Sequence, residues 1–248
     1  MTDNSQSETK EKSYKELIEL VICILLIIFV ILFGFLYIKE ATDAIRLRDP
    51  KYRNLSQVEI YADIFNGRGI IIAVTDDHMD ILTSRHLVET ENKVTVEFGN
   101  GKRVDSEVYS YFKDYDAAVI RIYKDAAGET LRSAKAAEIC TKEDYDNMKL
   151  GQTVYFATEM SDAEIEYVKG KWVEGSKFIY ELGSEVGLFL GEVLPGMSGE
   201  GVFDENDRLV GMIIAATDTE GALIPAYELK NEYLQWTLQY KGDTNEND

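Results

Sequence analysis

The chain has few of the residues that build metal centres and disulfide frameworks. Its 248 residues include two cysteines, two histidines and three prolines. Common zinc frameworks need Cys and His ligands at close spacing, and here these residues are far apart in the sequence. Cys23 falls within a long apolar run, so Cys140 is the only thiol in the rest of the chain. No disulfide is therefore expected within the polar part of the protein.

Basic residues are also scarce. The 26 lysines and arginines are outnumbered by 45 aspartates and glutamates, which gives a formal net charge of −19. A nucleic-acid-binding protein needs cationic side chains to displace the counterions of the phosphates, and binding to anionic lipid through a basic patch has the same requirement. We therefore expect neither kind of partner. A hydrophobic content of 45% also argues against a disordered chain.

One apolar run near the N-terminus is long enough to cross a bilayer. It covers residues 17–38, and Glu19 is its only charged residue. As a helix it would be roughly 30 Å long, which matches the hydrocarbon core of a bilayer. A cleaved signal peptide is the alternative, but no small-x-small cleavage site follows the run. We predict an uncleaved transmembrane anchor at 17–38, after a polar tail at 1–16.

The segment after the anchor is predicted to be a stalk. Residues 39–56 are largely polar and contain Pro50, which interrupts regular structure. Their basic residues slightly outnumber those of the N-terminal tail, so the positive-inside rule leans toward a cytoplasmic C-terminal part. Charge alone leaves the orientation open.

Residues 57–240 are predicted to form one mainly β domain, followed by a polar tail at 241–248. Short apolar or alternating runs are separated by turn-forming residues, which favours a barrel or sandwich over alternating β/α units. Near the end, residues 227–238 have apolar side chains at helical spacing, which predicts one amphipathic helix. The predicted strands are 69–74, 81–83, 93–98, 117–123, 153–157, 177–182, 200–203 and 209–215.

Three short segments carry residues suited to chemistry. His86 follows the apolar run 81–83, Asp116 directly precedes an apolar strand, and Ser198 lies between Gly196 and Gly199. Taken alone, each has an ordinary structural explanation: a histidine in apolar surroundings, a strand-capping aspartate and a tight turn. Their order along the chain is that of the chymotrypsin-type triad, and it differs from the orders in subtilisins and α/β-hydrolases.

Several stretches match, in order, the motifs of one known family. They are Gly67-Arg-Gly-Ile-Ile-Ile for G-x-G, Leu82-Thr-Ser-Arg-His-Leu-Val for L-T-x-x-H-V-V, Asp116-Ala-Ala-Val-Ile-Arg-Ile for D-L-A-V-L-K-I, Gly196-Met-Ser-Gly-Glu-Gly-Val-Phe for G-N-S-G-G-P-L-F, and Leu223-Ile-Pro-Ala-Tyr-Glu-Leu for a late A-I-P segment. From about Val58 to Leu229 the chain therefore resembles the trypsin-like serine peptidases, and most closely the bacterial HtrA-type proteases. The resemblance selects Asp116 over Asp114. It implies a mainly β, chymotrypsin-like double β-barrel with a C-terminal helix, here preceded by one N-terminal transmembrane helix.

The resemblance also implies a serine endopeptidase that acts on protein or peptide substrates and needs no metal or cofactor. Ser198 would be the nucleophile, His86 the general base and Asp116 the residue that orients the base. The backbone N–H groups of Gly196 and Ser198 would form the oxyanion hole. Glu192, six residues before Ser198, lies near the expected specificity pocket and would favour a basic side chain.

Two residues depart from the family pattern. Glu200 replaces the second glycine after the serine, and Gly201 replaces the proline that follows it. A charge this close to the nucleophile could distort the turn or could point to solvent. The alternative function is therefore a membrane-tethered pseudoprotease that binds proteins without cleaving them. A general extracytoplasmic binding domain with an accidental triad is a further alternative.

Location and assembly follow only from the resemblance. Membrane-anchored relatives usually place the protease outside the cytoplasm, which implies a single-pass protein of the cell membrane with an extracytoplasmic peptidase domain, against the slight lean of the charge count. No PDZ module is expected after the barrels. Trimers are common among HtrA-type relatives, but the sequence itself does not indicate an oligomeric state.

Overall fold

The computed structural model describes Phe29 and residues 56–63, 65–90, 93–160 and 165–244. The predicted N-terminal tail, anchor and stalk, apart from Phe29 and Ser56, lie outside the described residues, as do residues 245–248 of the predicted C-terminal tail. None of the helices in the described ranges combines the length and the apolar character needed to cross a membrane. The described residues from Ser56 onward belong to one compact unit, Pro50–Asp248.

The first half of this unit is a closed β-barrel of six antiparallel strands. Its strands are β1 (Gln57–Ala62), β2 (Phe65–Val74), β3 (His78–Thr83), β4 (Val94–Phe98), β5 (Arg103–Tyr111) and β6 (Ala118–Tyr123). They close in the order β1-β2-β3-β6-β5-β4. Alternate residues fill the interior, as on β4, where Val94, Val96 and Phe98 are buried and the residues between them are partly exposed.

The second half is another six-stranded antiparallel barrel. Its strands are β7 (Thr153–Met160), β8 (Ile165–Ile179), β9 (Ser184–Leu190), β10 (Gly201–Phe203), β11 (Leu209–Ala216) and β12 (Glu220–Pro225). They close in the order β10-β11-β12-β9-β8-β7. Bulky side chains that include Phe156, Trp172 and Phe189 fill its interior.

Five helices are described in the same unit. Four are single turns, and the last is long: α1 (Arg85–Val88), α2 (Lys124–Ala127), α3 (Thr130–Ser133), α4 (Lys142–Asp146) and α5 (Ala226–Thr244). Although α5 follows the second barrel in sequence, it also packs on the first, since the Trp236 ring lies 4.5 Å from that of Phe112.

An apolar layer joins the two barrels. Strand β6 is buried on both faces: Ile120 points into the first barrel, whereas Val119 belongs to a cluster shared with Phe203 and Met212 of the second barrel. Ile70 on β2 and Leu82 on β3 join the same cluster. Because β3 leads to His86 and Asp116 lies just before β6, this layer fixes both residues beside the second barrel.

The predicted β architecture and C-terminal helix are confirmed, with corrections in detail. Strands β1, β5, β9 and β12 were absent from the prediction. The predicted strand at 177–182 is wrong at its end, because β8 stops at Ile179 and Gly183, with a φ of +63°, completes a turn. The strand predicted at 81–83 also begins earlier, because His78 is the first residue of β3.

Candidate active site

His86 lies on the single turn α1, immediately after β3. Its backbone N–H donates to Oδ1 of Asp116 at 2.9 Å, and its Nδ1 lies 2.5 Å from Oδ2 of the same carboxylate. A carboxylate only accepts hydrogen bonds, so Nδ1 carries the hydrogen of this bond. In a neutral ring Nε2 is then an acceptor that faces outward. The side chain is 45% exposed, which leaves Nε2 open to a reacting group.

Asp116 lies in the short loop between β5 and β6. The loop is closed by backbone hydrogen bonds from Phe112 N to Ala117 O at 3.0 Å and from Ala117 N to Tyr115 O at 2.8 Å. Helix α5 braces it from outside, because Tyr115 donates to Glu228 at 3.1 Å. These contacts of the loop therefore hold the Asp116 carboxylate beside His86.

The two side chains stabilise each other's charged forms. The hydrogen bond to Asp116 raises the pKa of His86, although burial opposes the rise. For Asp116, burial favours the neutral acid, but the hydrogen bonds from His86 outweigh it and lower the pKa of the carboxyl. Asp116 is thus ionised at neutral pH and can stabilise an imidazolium at His86.

Ser198 lies in a glycine-rich loop that leads into β10. Gly196 has a φ of +91° and Gly199 a φ of +88°, both in the left-handed region that favours glycine. On the far side of the serine, Gly199 N donates to Ile213 O at 2.9 Å. The Ser198 carbonyl accepts from Arg68 N of the first barrel at 2.9 Å. Both barrels therefore hold the loop.

The backbone N–H groups of Gly196 and Ser198 have no hydrogen-bond partner among the described residues. Their neighbour Met197 is engaged, since its N–H donates to Leu194 O at 3.2 Å. Unpaired backbone N–H groups in such a turn can bind an anionic oxygen. These two groups are the ones that the sequence assigns to an oxyanion hole.

Shared contacts bring Ser198 close to the segment that carries His86. Ile213 O accepts both from Gly199 N and, at 3.4 Å, from Oγ of Ser84, two residues before the histidine. Gly67 lies between the Leu87 side chain and the Ser198 carbonyl. A Cβ at position 67 would collide with both. Within the described part of the chain, however, the Ser198 hydroxyl and Nε2 of His86 make no hydrogen bond. Catalytic hydrogen bonds are often long before substrate binds.

A cavity of about 580 Å³ opens beside Ser198. Val193, Ile213 and Ala215 contribute apolar lining, and two exposed carboxylates, Glu192 and Asp218, lie at its edge. No lysine or arginine is found among the described residues that line it. The sequence suggested Glu192 for this position but missed Asp218, which lies in an unremarkable polar stretch after β11.

Glu200 neither distorts the turn nor points to solvent. Its side chain is fully buried, with Oε2 3.0 Å from Nη1 of Arg68 and Oε1 accepting from Ala157 N at 3.0 Å. Burial raises the pKa of the Glu200 carboxyl, and the Arg68 guanidinium opposes the rise. The turn keeps its hydrogen bond from Glu200 N to Met197 O at 3.0 Å. The departure from the family pattern is thus accommodated within the interior.

A metal centre has no visible basis in the described residues, which contain no group of three His, Cys, Asp or Glu side chains placed to hold an ion. The candidate site is instead a histidine–aspartate pair, a nearby serine and two free N–H groups on a double β-barrel. This arrangement defines the class of trypsin-like serine peptidases.

Comparison with known proteins agrees with that class. The model of the trypsin-like peptidase domain family matches residues 67–212, more than half of the chain, and the chain belongs to this family. The resemblance inferred from the motifs is therefore confirmed. No curated protein matches the sequence significantly.

Several solved structures share this fold. Deg5 is 18% identical with a TM-score of 0.59, covering 77% of this chain and 92% of that one. The active form of the Rv3671c protease from M. tuberculosis is 20% identical with a TM-score of 0.57, covering 72% and 79%. The HtrA-type protease AlgW, solved with a tripeptide, is 16% identical with a TM-score of 0.58, covering 77% and 64%. At these identities the likeness shows the fold alone.

Proposed function

We propose that the protein is a membrane-anchored serine endopeptidase that cleaves peptide bonds through an acyl-enzyme on Ser198. The observation that carries the proposal is the bidentate contact of Asp116 with His86, which binds both the backbone N–H and Nδ1 of the histidine. Such a contact fixes the ring and its tautomer, as a general base requires. Family membership supports the same reaction class.

In the acylation step, Oγ of Ser198 attacks the carbonyl carbon of the scissile bond while Nε2 of His86 takes the hydroxyl proton. The imidazolium that forms is stabilised by Asp116. The tetrahedral intermediate then collapses: the C–N bond breaks, the amine leaves with the proton from His86, and an ester to Ser198 remains. Water attacks this ester by the same sequence in reverse, which releases the acid and restores the serine.

The oxyanion of each intermediate would be bound by the N–H groups of Gly196 and Ser198. Because neither group has a partner among the described residues, no internal bond must be broken to receive the charge. Loss of one such donor typically reduces the rate by about 10²–10³-fold. Gly196 at a φ of +91° is the residue that makes this orientation accessible.

For the substrate, we propose a preference for a basic side chain before the scissile bond. Glu192 and Asp218 give the cavity an acidic edge without a compensating described cation. Replacing Glu192 by Gln should reduce the ratio of kcat/KM for Arg over Leu peptides by roughly tenfold, a difference of about 1.4 kcal/mol. The matched control is Glu205→Gln, an exposed residue in the turn after β10. An unchanged ratio in Glu192→Gln would exclude the role.

We further propose that residues 17–38 anchor the protein in the cell membrane and that the peptidase domain lies outside the cytoplasm. The support is the length and apolar character of that run, together with the usual arrangement in membrane-anchored relatives. Added protease should then digest the C-terminal domain in intact cells whose outer layers have been made permeable. Protection of that domain until the membrane is lysed would contradict the orientation.

The test of the reaction is fluorophosphonate labelling of the full-length protein in detergent. Labelling should be abolished by Ser198→Ala and His86→Ala and retained by His78→Ala, which removes the only other histidine. Absence of labelling in a folded wild-type protein would favour the pseudoprotease, for which the missing hydrogen bond between Ser198 and His86 is the supporting observation. Labelling that survives Ser198→Ala would refute the assignment of the nucleophile.

A further inference from the structure

Glu200 is a fully buried carboxylate two residues after the proposed nucleophile, at a position where the related sequences have glycine. Each of its oxygens accepts a hydrogen bond from a different element: Oε2 from Arg68 on β2, and Oε1 from Ala157 N on β7. The carboxylate therefore connects the first barrel to the second. It is not among the residues that line the cavity beside Ser198.

Arg68, on β2 of the first barrel, contacts the same region. Its Nη1 donates both to Glu200 Oε2 at 3.0 Å and to Ala157 O at 2.7 Å. Its backbone N–H donates to the Ser198 carbonyl at 2.9 Å, and its own carbonyl accepts from Thr83 Oγ1 at 2.8 Å. Arg68 thus contacts the Ser198 loop twice. Its backbone N–H binds the Ser198 carbonyl, and its side chain binds the Glu200 carboxylate.

The strand pattern explains why a charged pair fits in this interior. Strand β10 is only three residues long, and its pairing with β7 is limited to Phe203 and Tyr155. On the side of β7 that faces β10, Ala157 therefore has no paired residue, whereas on the other side it is paired with Tyr167 of β8. The Glu200 carboxylate receives the Ala157 N–H and the Arg68 guanidinium satisfies its carbonyl, so the two side chains replace the missing backbone partner.

We propose that Arg68 and Glu200 are positioning residues that hold the Ser198 loop in the geometry needed for acylation. Ser198 belongs to the second barrel, whereas His86 and Asp116 belong to the first, so the reaction depends on the register between barrels. The Arg68 contacts fix that register directly at the loop. The inference rests on the proposed peptidase function and adds two residues to it.

The chemistry of the pair predicts which substitutions fail. Both Glu200 oxygens face N–H donors, so Glu200→Gln would turn its own NH₂ group toward Ala157 N–H or the guanidinium. Arg68→Lys keeps the charge but replaces the planar Nη1 group, whose two hydrogens serve Ala157 O and Glu200 Oε2, with a compact ammonium on a flexible stem. Both changes should loosen the loop while keeping the volume of the interior.

The experiment compares two buried ion pairs in the full-length protein. Arg68→Lys and Glu200→Gln alter the proposed positioning pair. Arg121→Lys and Asp80→Asn make the same changes in the pair between Arg121 and Asp80, whose carboxylate is equally buried but does not contact the Ser198 loop. Two quantities are measured on each protein well below its Tm: the second-order rate constant of fluorophosphonate labelling and the hydrogen exchange of peptides covering 194–203.

We expect labelling to slow by about ten- to a hundredfold in Arg68→Lys and Glu200→Gln, the cost of a displaced nucleophile. Exchange at the amides of Gly199 and Glu200 should become faster in the same variants. Arg121→Lys and Asp80→Asn should lower Tm but change the labelling rate of the folded protein less than twofold. Arg68→Lys should retain more activity than Glu200→Gln, because it leaves the charge of Glu200 compensated.

Wild-type labelling rates in Arg68→Lys and Glu200→Gln would overturn the proposal, as would equal losses in the two control variants. The exchange measurement separates this failure from a failure of the proposed function. If the wild-type protein does not label, faster exchange at 194–203 in the two variants still supports control of the loop by the pair. Unchanged exchange in that segment overturns the positioning role whether or not the protein labels.

Discussion

Replacing Asp116 by Asn tests the assignment of the histidine–aspartate pair most directly. In the native protein the His86 N–H donates to Oδ1 and the Nδ1–H donates to Oδ2. The backbone N–H cannot change its role, so it will retain the oxygen of the new amide. The NH₂ group must then face Nδ1, which has to become the acceptor. The proton moves to Nε2, and the ring can no longer accept the proton of Ser198.

The size of the effect follows from this tautomer. A triad with the aspartate replaced by asparagine keeps its geometry and loses roughly 10⁴-fold in kcat in the serine protease where the change is known. We expect a loss of the same order here, since the same change of tautomer follows from the bidentate contact of Asp116. Stability should change much less, because the pair is partly exposed and the amide still binds the His86 N–H.

The pH dependence of labelling tests the same assignment independently. The hydrogen bond to Asp116 raises the pKa of His86 above its ordinary value of 6.5, so wild-type labelling should fall as the pH drops through that raised value. Removing the carboxylate removes the chief cause of the rise, while burial still lowers the pKa. The acid limb of the residual activity in Asp116→Asn should therefore move to lower pH.

The assay is the rate constant of fluorophosphonate labelling between about pH 5 and 9, with Tm measured on each protein. Asp114→Asn is the matched control, because Asp114 is an exposed carboxylate two residues away in the same loop. The reasoning is refuted if Asp116→Asn labels within tenfold of the wild type, or if Asp114→Asn has an equal effect. If the acid limb of the pH profile does not move, only the argument about the pKa of His86 is refuted.

Three further predictions concern stability and reactivity. Gly199→Ala should lower the free energy of unfolding by at least about 1–3 kcal/mol in denaturant titrations, because the φ is +88° and the new Cβ would overlap the Arg68 carbonyl; a neutral result would contradict the geometry of the loop. Tyr233→Phe removes a 2.6 Å hydrogen bond to the fully buried carboxylate of Asp80 and should cost about 1–3 kcal/mol, measured in the same way; a change within error would show that water replaces the hydroxyl. Burial raises the pKa of Cys140 to about 11, so a thiol reagent should modify it at neutral pH only as the protein unfolds, and fast modification of the native protein would be inconsistent with its position.

The parts of the fold that sequence could predict are those with a local pattern. Strand β4 alternates buried and partly exposed residues over its whole length, β6 is apolar apart from Arg121, and the C-terminal helix repeats its apolar residues at helical spacing. Strand β5 shows the limit: most of Arg103–Tyr111 is polar or partly exposed, and only pairing with β4 and β6 makes it a strand. Its valines and tyrosines favour strands but do not alternate regularly with its polar residues, so pairing with the neighbouring strands decides its structure.

The candidate site divides in the same way. His86, Asp116 and Ser198 could be proposed from the sequence because each lies in a short motif that resembles one of the family's. The partner of Glu200 could not, since Arg68 is 132 residues away and a G-x-G motif does not specify its middle residue. The sequence therefore identifies the departure at Glu200 but predicts either a distorted turn or a charge that points to solvent. Neither is found, because the carboxylate is buried against Arg68.

The buried position of Glu200 bears on the choice between the peptidase and the pseudoprotease. A buried ion pair is weak evidence for stability, because well-packed apolar residues of similar volume usually stabilise a protein as well or better. The pair between Arg68 and Glu200 instead orients the backbone around it. It satisfies both backbone groups of Ala157 and connects the Ser198 loop to the first barrel. A surface that only binds a protein has no need of such alignment between Ser198 and His86, whereas acyl transfer does. Under the proposed peptidase function, Glu200 is therefore a positioning residue rather than a sign of lost activity.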